Sequence, residues 1–321
     1  GNYRFVRTLP LMFHPADNNM LLFATNVLWK TTNAGQNWEI ISPDLTYEQP
    51  EIPASVGIYK TKEMEKMLRR GVIYSLGPSP LNVDVIWAGT DDGRLHLTKD
   101  GGLNWHDVTP GQISSWDKVS QIDASYFDQN TAYVAINAIR KDDMSPYIYK
   151  TDNGGKYWKL VTQGIPENDP VNVVRADPKH EGLLFAGTER AVYFSIDEGA
   201  HWQSLRSNMP ATSIRDLVIH EDDLVVGTHG RSIWILDNIL KKNEVINDPR
   251  KRNDEFEDSN HGIDSIEEEY EDNFIDDEEA NLIVGYGISN AIGSGNTYGF
   301  GLNDSDILSE GNDDSSYVRN I

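Results

Sequence analysis

The chain has 321 residues, 38% hydrophobic and 10% aromatic, enough apolar material for a substantial core, with a formal net charge of −23. So acidic a balance argues against non-specific nucleic-acid binding, which needs a basic face, and against attraction to anionic membrane. The absence of cysteine excludes disulfides, thiolate zinc sites and cysteine nucleophiles.

The acidity is uneven. From residue 241 onward there are 21 acidic and 6 basic residues. Two regions follow: residues 1–240, with strand-like runs between turns, and an acidic tail, 241–321. The tail includes Glu267-Glu268-Glu269-Tyr270-Glu271-Asp272 and Asp276-Asp277-Glu278-Glu279. Dense like charge with little apolar material reads as disordered and solvating. No apolar run approaches the roughly 18 residues of a membrane span.

In chain order, the first feature is the octet Thr31-Thr32-Asn33-Ala34-Gly35-Gln36-Asn37-Trp38. It returns as Thr98-Lys99-Asp100-Gly101-Gly102-Leu103-Asn104-Trp105 and as Thr151-Asp152-Asn153-Gly154-Gly155-Lys156-Tyr157-Trp158. The last copy is Ser195-Ile196-Asp197-Glu198-Gly199-Ala200-His201-Trp202. The tryptophans are 67, 53 and 44 residues apart, against roughly 40–50 for a propeller blade. The octet is a hairpin turn. Asp or Asn bonds the backbone two residues on, Gly supplies a positive φ, and Trp opens the next strand with a ring to bury.

Ahead of the second octet runs Val85-Ile86-Trp87-Ala88-Gly89-Thr90, and ahead of the fourth Leu183-Leu184-Phe185-Ala186-Gly187-Thr188. Such apolar and aromatic runs between turn residues read as strands. Each unit is therefore four strands, beginning in the second near Val72, Val85, Leu95 and Trp105. A fifth unit, from Asp216 to Asp237, ends without an octet and reads as a partial blade. One such sheet cannot bury both faces, so the blades must pack around an axis. Within this β pattern Lys60–Arg70 has helical composition, with Met64, Met67 and Leu68 on one face. It is expected to be an inserted helix capping the functional face.

The octet resembles the aspartate box of bacterial-neuraminidase repeats. The segments Ile41–Thr46, Arg70–Tyr74, Ile86–Gly93, Pro170–Arg175, Leu184–Arg190 and Gly227–Asp237 are similar to bacterial glycosyl-hydrolase-like proteins with sortilin-type N-terminal propellers. The resemblance spans roughly residues 3–240. It implies an all-β propeller of four aspartate-box blades and a partial fifth, an extracytoplasmic or secreted location, and further blades supplied by a longer protein. Sialidases share the box and use an arginine triad with a Tyr nucleophile. No such set stands in register here, nor does a counterpart of the catalytic Asp motif of xyloglucan-degrading double propellers.

Blade geometry divides the loops. The octets, with hydroxyl, acid or amide, glycine and tryptophan at Thr31, Asn33, Gly35, Trp38 and their counterparts, lie at one end and are structural. The turns between second and third strands open at the other end. They carry Asp91, Asp92, Glu189, Arg190, His229 and Arg231, with Arg140, Lys141, Asp142 and Asp143 in the third unit. Blade connections add Arg69, Arg70, Trp116 and Lys118. Carboxylates, guanidiniums and aromatic faces together suit a glycan or peptide ligand. The competing reading is a set of turn salt bridges on a solvated face. Asp91 and Glu189 are the candidate carboxyls for hydrolysis, which needs a pair about 5–9.5 Å apart. No phosphate loop, HExxH or EF-hand spacing occurs, so no metal or cofactor is expected. The sequence thus points to a binding or interaction propeller. The alternative is part of a glycoside hydrolase, and a third reading is a structural fragment with no activity of its own.

Overall fold

The structure, a computed structural model, describes residues 3–66, 69–205 and 207–239 and the backbone of 318–320. It is a five-blade β-propeller of four-stranded antiparallel sheets. Blade one is β1 (Leu11–His14), β2 (Asp17–Ala24), β3 (Leu28–Thr31) and β4 (Glu39–Ile40). Blade two is β5 (Ile73–Pro78), β6 (Ile86–Thr90), β7 (Leu95–Thr98) and β8 (His106–Asp107). Blade three is β9 (Lys118–Ala124), β10 (Ala132–Asn137), β11 (Tyr147–Thr151) and β12 (Lys159–Leu160). Blade four is β13 (Val171–Ala176), β14 (Leu184–Thr188), β15 (Val192–Ser195) and β16 (Gln203–Ser204). Blade five is β17 (Ile214–His220), β18 (Asp223–Thr228), β19 (Ile233–Leu236) and β20 (Val318–Asn320).

The strands of blade two start within a residue of the positions expected from sequence. The fifth unit supplies three strands, as its sequence implied, and the fourth strand of its sheet is Val318–Asn320, which pairs with β19. The remainder of the acidic tail lies outside the described residues. The expected helix over Lys60–Arg70 is corrected. It shrinks to one turn, α1 (Lys62–Glu65), capped by the Thr61 hydroxyl accepting from Met64 N. Met67 and Leu68 lie outside the described residues.

Each octet folds the same way. The hydroxyl of Thr31, Thr98, Thr151 and Ser195 donates to the side chain of Asn33, Asp100, Asn153 and Asp197 at 2.8–3.1 Å. The same hydroxyl accepts the N–H of Gly35, Gly102, Gly155 and Gly199. The acid or amide then accepts the N–H four residues on, at Asn37, Asn104, Tyr157 and His201. The glycine is obligatory: at Gly102 φ is +102°, and an added Cβ would stand 2.4 Å from the Ile41 carbonyl oxygen.

The octet tryptophans then tie blade to blade. Trp105 Nε1 donates to Ile41 O at 2.8 Å, Trp158 to Val108 O at 2.7 Å, and Trp202 to Val161 O at 2.8 Å. Each acceptor is the residue just beyond the outer strand of the preceding blade. Its own N–H closes onto the third strand of that blade, as in Ile41 N to Leu28 O. Four apolar layers fill the spaces between successive blades. In the second layer Trp87, fully buried, meets Trp158 edge-on at 5.8 Å. The Ala-Gly-Thr repeat serves the same packing. A Cβ on Gly89 would stand 2.2 Å from Val119 Cγ1, and one on Gly187 would stand 2.5 Å from Ile214 Cγ2. Only glycine lets the inner strand of the next blade cross so close.

Candidate functional site at the loop end of the blades

The turns between second and third strands stand at the end opposite the octets, and main-chain bonds pin them there. Asp91 N donates to Val72 O, Glu189 N to Pro170 O, and His229 N to Ser213 O. In blades two, four and five the turn is thereby locked to the chain entering its own inner strand. The insertion between blades one and two reaches the same end, where Ser115 Oγ donates to Glu51 O at 2.6 Å.

Two carboxylates from these turns meet guanidiniums from the next blade. Asp91 Oδ2 accepts from Arg140 Nη1 at 3.1 Å, while its Oδ1 accepts Val72 N at 2.8 Å. Glu189 Oε1 accepts from Arg215 Nη1 at 3.2 Å and from Asn172 Nδ2 at 2.9 Å. Asn172 accepts in turn from Asn137 Nδ2 at 2.9 Å. A polar belt therefore spans blades two to five in two hydrogen-bonded groups, Asp91 with Arg140 and Asn137 with Asn172, Glu189 and Arg215. Lys118 joins it at the first residue of β9, its ammonium 4.7 Å from the centre of the Tyr74 ring.

Sequence reasoning placed Asp91, Glu189, Arg140 and Lys118 at this end but missed Tyr74, Asn172 and Arg215. All three sit on inner strands, each where the pairing with the second strand slips by one residue. Such bulges re-aim a side chain out of the regular alternation. The available signal was a polar or aromatic residue at the same place in three inner strands, within Ile73–Ser75, Val171–Val173 and Ile214–Asp216.

Burial opposes ionisation of Glu189, but bonds from Ser213 and Asn172 and the Arg215 charge outweigh it and hold the carboxyl below its usual range. Burial lowers the Lys118 ammonium, and the neighbouring Arg140 and Arg215 charges add to that, against the opposing pull of Tyr74. Asp92 belongs to a different task. Its Oδ1 accepts from Thr90 Oγ1 at 2.6 Å and its Oδ2 from Tyr47 N at 3.0 Å, stitching blade two to the preceding connection. Burial pushes its carboxyl up to about 6, with Thr90 opposing.

The other sequence candidates lie outside the belt. Trp116 is held through its N–H to Asp92 O, with the Arg70 guanidinium 5.3 Å over its ring. Arg190, His229 and Arg231 are exposed on their turns. The Arg231 carbonyl accepts from Trp234 Nε1 at 2.7 Å. Among the described residues no group of three or more acidic or histidine side chains is arranged to hold a metal, and no helix is long and apolar enough to cross a membrane.

The arrangement defines the chain as a β-propeller with a belt of paired polar side chains at one end. No protein-family model matches it, and no curated protein matches it. Solved structures show the same fold. An ancestral GH74 enzyme is 16% identical with a TM-score of 0.54, covering 73% of this chain and 30% of its own. The GH74 xyloglucanase from Xanthomonas campestris is 18% identical with a TM-score of 0.51, covering 74% and 37%. The β-propeller domain of Myceliophteria thermophila Cps50 (Swd1) is 12% identical with a TM-score of 0.50, covering 73% and 66%. The chain thus spans about a third of the length of the two GH74 enzymes.

Proposed function

We propose that this chain is a binding module of a larger aspartate-box propeller protein of the sortilin-like kind, holding a glycan or peptide across the loop end of its blades. The observation that carries the reading is the belt of Asp91, Arg140, Lys118, Asn172, Glu189 and Arg215, assembled from four blades. Its two candidate catalytic carboxyls are each engaged by an arginine. Glu189 is held ionised, whereas a general acid needs its proton near neutral pH. Paired carboxylates and planar guanidiniums instead offer fixed acceptors and donors for hydroxyls and amides.

The test is binding of the purified chain to arrayed glycans and peptides, repeated with Arg215→Ala and Glu189→Gln. Binding that weakens about tenfold or more in both variants supports the module. Sugar release by the chain, abolished in both Asp91→Asn and Glu189→Gln, would establish a glycoside hydrolase in its place. Neither binding nor release would leave a structural segment.

A further inference from the structure

Blade one turns one face toward blade two and leaves the other bare. Leu22, Ala24 and Leu28 pack into the layer shared with Ile73 and Ile86 of blade two. The alternating residues emerge on the opposite face. There Leu11, Phe23, Trp29 and Ile40 stand side by side across the four strands, with Phe13 and Trp38 two residues along from Leu11 and Ile40. Leu11, Phe13, Trp38 and Ile40 are exposed, and the Trp38 ring meets Phe23 edge-on at 6.1 Å. A terminal repeat in a stack normally turns a polar face outward. This face is apolar across its whole width, which marks an interaction surface.

The other blades show what covers such a face. Phe23 pairs with the third-strand residue two before the octet hydroxyl, and Ala88, Val134 and Ala186 hold the same place in blades two, three and four. All three are fully buried, each in the layer shared with the blade before it. The octet tryptophan completes the contact. Trp105, Trp158 and Trp202 donate to a carbonyl just beyond the outer strand of the blade before. Trp158 and Trp202 are 6% and 4% exposed, against 39% for Trp38. Among the described residues no apolar layer joins blade five to blade one, so the chain's own last blade does not supply the cover.

We propose that this face docks a further four-stranded blade of the larger propeller protein, and that the carbonyl just beyond that blade's outer strand accepts from Trp38 Nε1. The inference rests on the larger-protein part of the function proposed above and is independent of ligand binding at the belt. The face sets the chemistry of its partner. The docking surface is uncharged at its centre, because a charge buried against Leu11, Phe13 and Phe23 would meet no counter-charge. It carries small side chains opposite Phe23, whose ring stands where blades two and four have alanine.

The experiment is hydroxyl-radical footprinting of this chain alone and of the larger protein expressed from its whole gene, with oxidation read at Phe13, Trp38, Trp158 and Trp202 by mass spectrometry. Trp38 should oxidise rapidly in the chain alone and at least about tenfold more slowly in the larger protein, where it approaches Trp158 and Trp202. In the larger protein Trp38→Phe, which keeps a ring but loses the donor, should raise oxidation at Phe13 about fivefold, the worth of one hydrogen bond. The comparison of the two unaltered proteins stands even where that variant does not fold. Equal oxidation of Trp38 in both proteins, or a whole gene that encodes no blade ahead of Leu11, would overturn the proposal. So would slow oxidation of Trp38 in the chain alone, constant or deepening with protein concentration, because the chain itself or a second copy would then cover the face. An unchanged Phe13 in Trp38→Phe would overturn the bond to the carbonyl. Glycan and peptide arrays read the belt separately, so failure of this inference is distinct from failure of the binding reading.

Discussion

Replacing Trp202 with alanine probes the contact that repeats through the fold. Trp202 is 4% exposed and packs in the layer between blades three and four, with its indole N–H bonded to Val161 O at 2.8 Å. Truncating a buried tryptophan costs about 3–5 kcal/mol. An orphaned carbonyl adds about 1–3 kcal/mol where water does not replace the donor. Trp38 occupies the same octet position in blade one but is 39% exposed. Among the described residues no acceptor is bonded to its indole, so Trp38→Ala should cost about 1–2 kcal/mol, the transfer of a half-buried ring alone. The expected difference is at least about 2 kcal/mol. Urea denaturation measures it as a shift in midpoint at constant slope, since a change in slope would mean a different unfolding reaction. Equal losses for Trp38→Ala and Trp202→Ala would refute the claim that these bonds interlock the blades.

Three further outcomes are expected. Asp92 has its carboxyl raised from 3.8 to about 6. The unfolded chain therefore ionises first, and stability that is full below about pH 3.8 is lost as pH rises through about 6, by about 3 kcal/mol. Asp92→Asn should flatten that slope in urea melts between about pH 4 and 7, and an unchanged slope would count against the assignment. In an NMR titration the Asp100 carboxyl should show its midpoint at about 2, depressed first by the Asn104 side chain and then by its N–H, whereas a midpoint near 4 would mean the octet turn is open in solution. Gly102→Ala should lower stability by at least about 2 kcal/mol, since it adds a clash to a left-handed φ. A neutral result would show that the turn can relax.

Most of the fold was legible because its signal is periodic. Four octets with fixed hydroxyl, acid, glycine and tryptophan positions define four turns, and the Ala-Gly-Thr runs ahead of two of them define second strands. The structure supplies the reason for the spacing: the tryptophan must reach a carbonyl three residues beyond the equivalent tryptophan of the previous blade, as Trp105 reaches Ile41 and Trp158 reaches Val108. The fourth strand of blade five was not legible. It comes from residues 318–320, far along the chain, and carries no octet.

The site was half legible. Turn residues such as Asp91 and Glu189 follow a repeated Gly-Thr and can be aligned by eye. Tyr74, Asn172 and Arg215 cannot, because a bulge changes the face on which a side chain emerges and simple alternation then misplaces it. Asp92 looked equivalent to Asp91 from the sequence. The structure separates them by partner: a guanidinium of the next blade for Asp91, and the Thr90 hydroxyl and Tyr47 amide for Asp92.

The central claim is that recognition occurs at the loop end and not at the octets. Hydrogen–deuterium exchange, with and without the tightest ligand from the arrays, tests it most directly. The account predicts added protection in residues 91–94, 138–143, 172–174 and 213–215, with the octet turns at 98–105, 151–158 and 195–202 unchanged. Protection confined to the octet turns would contradict it.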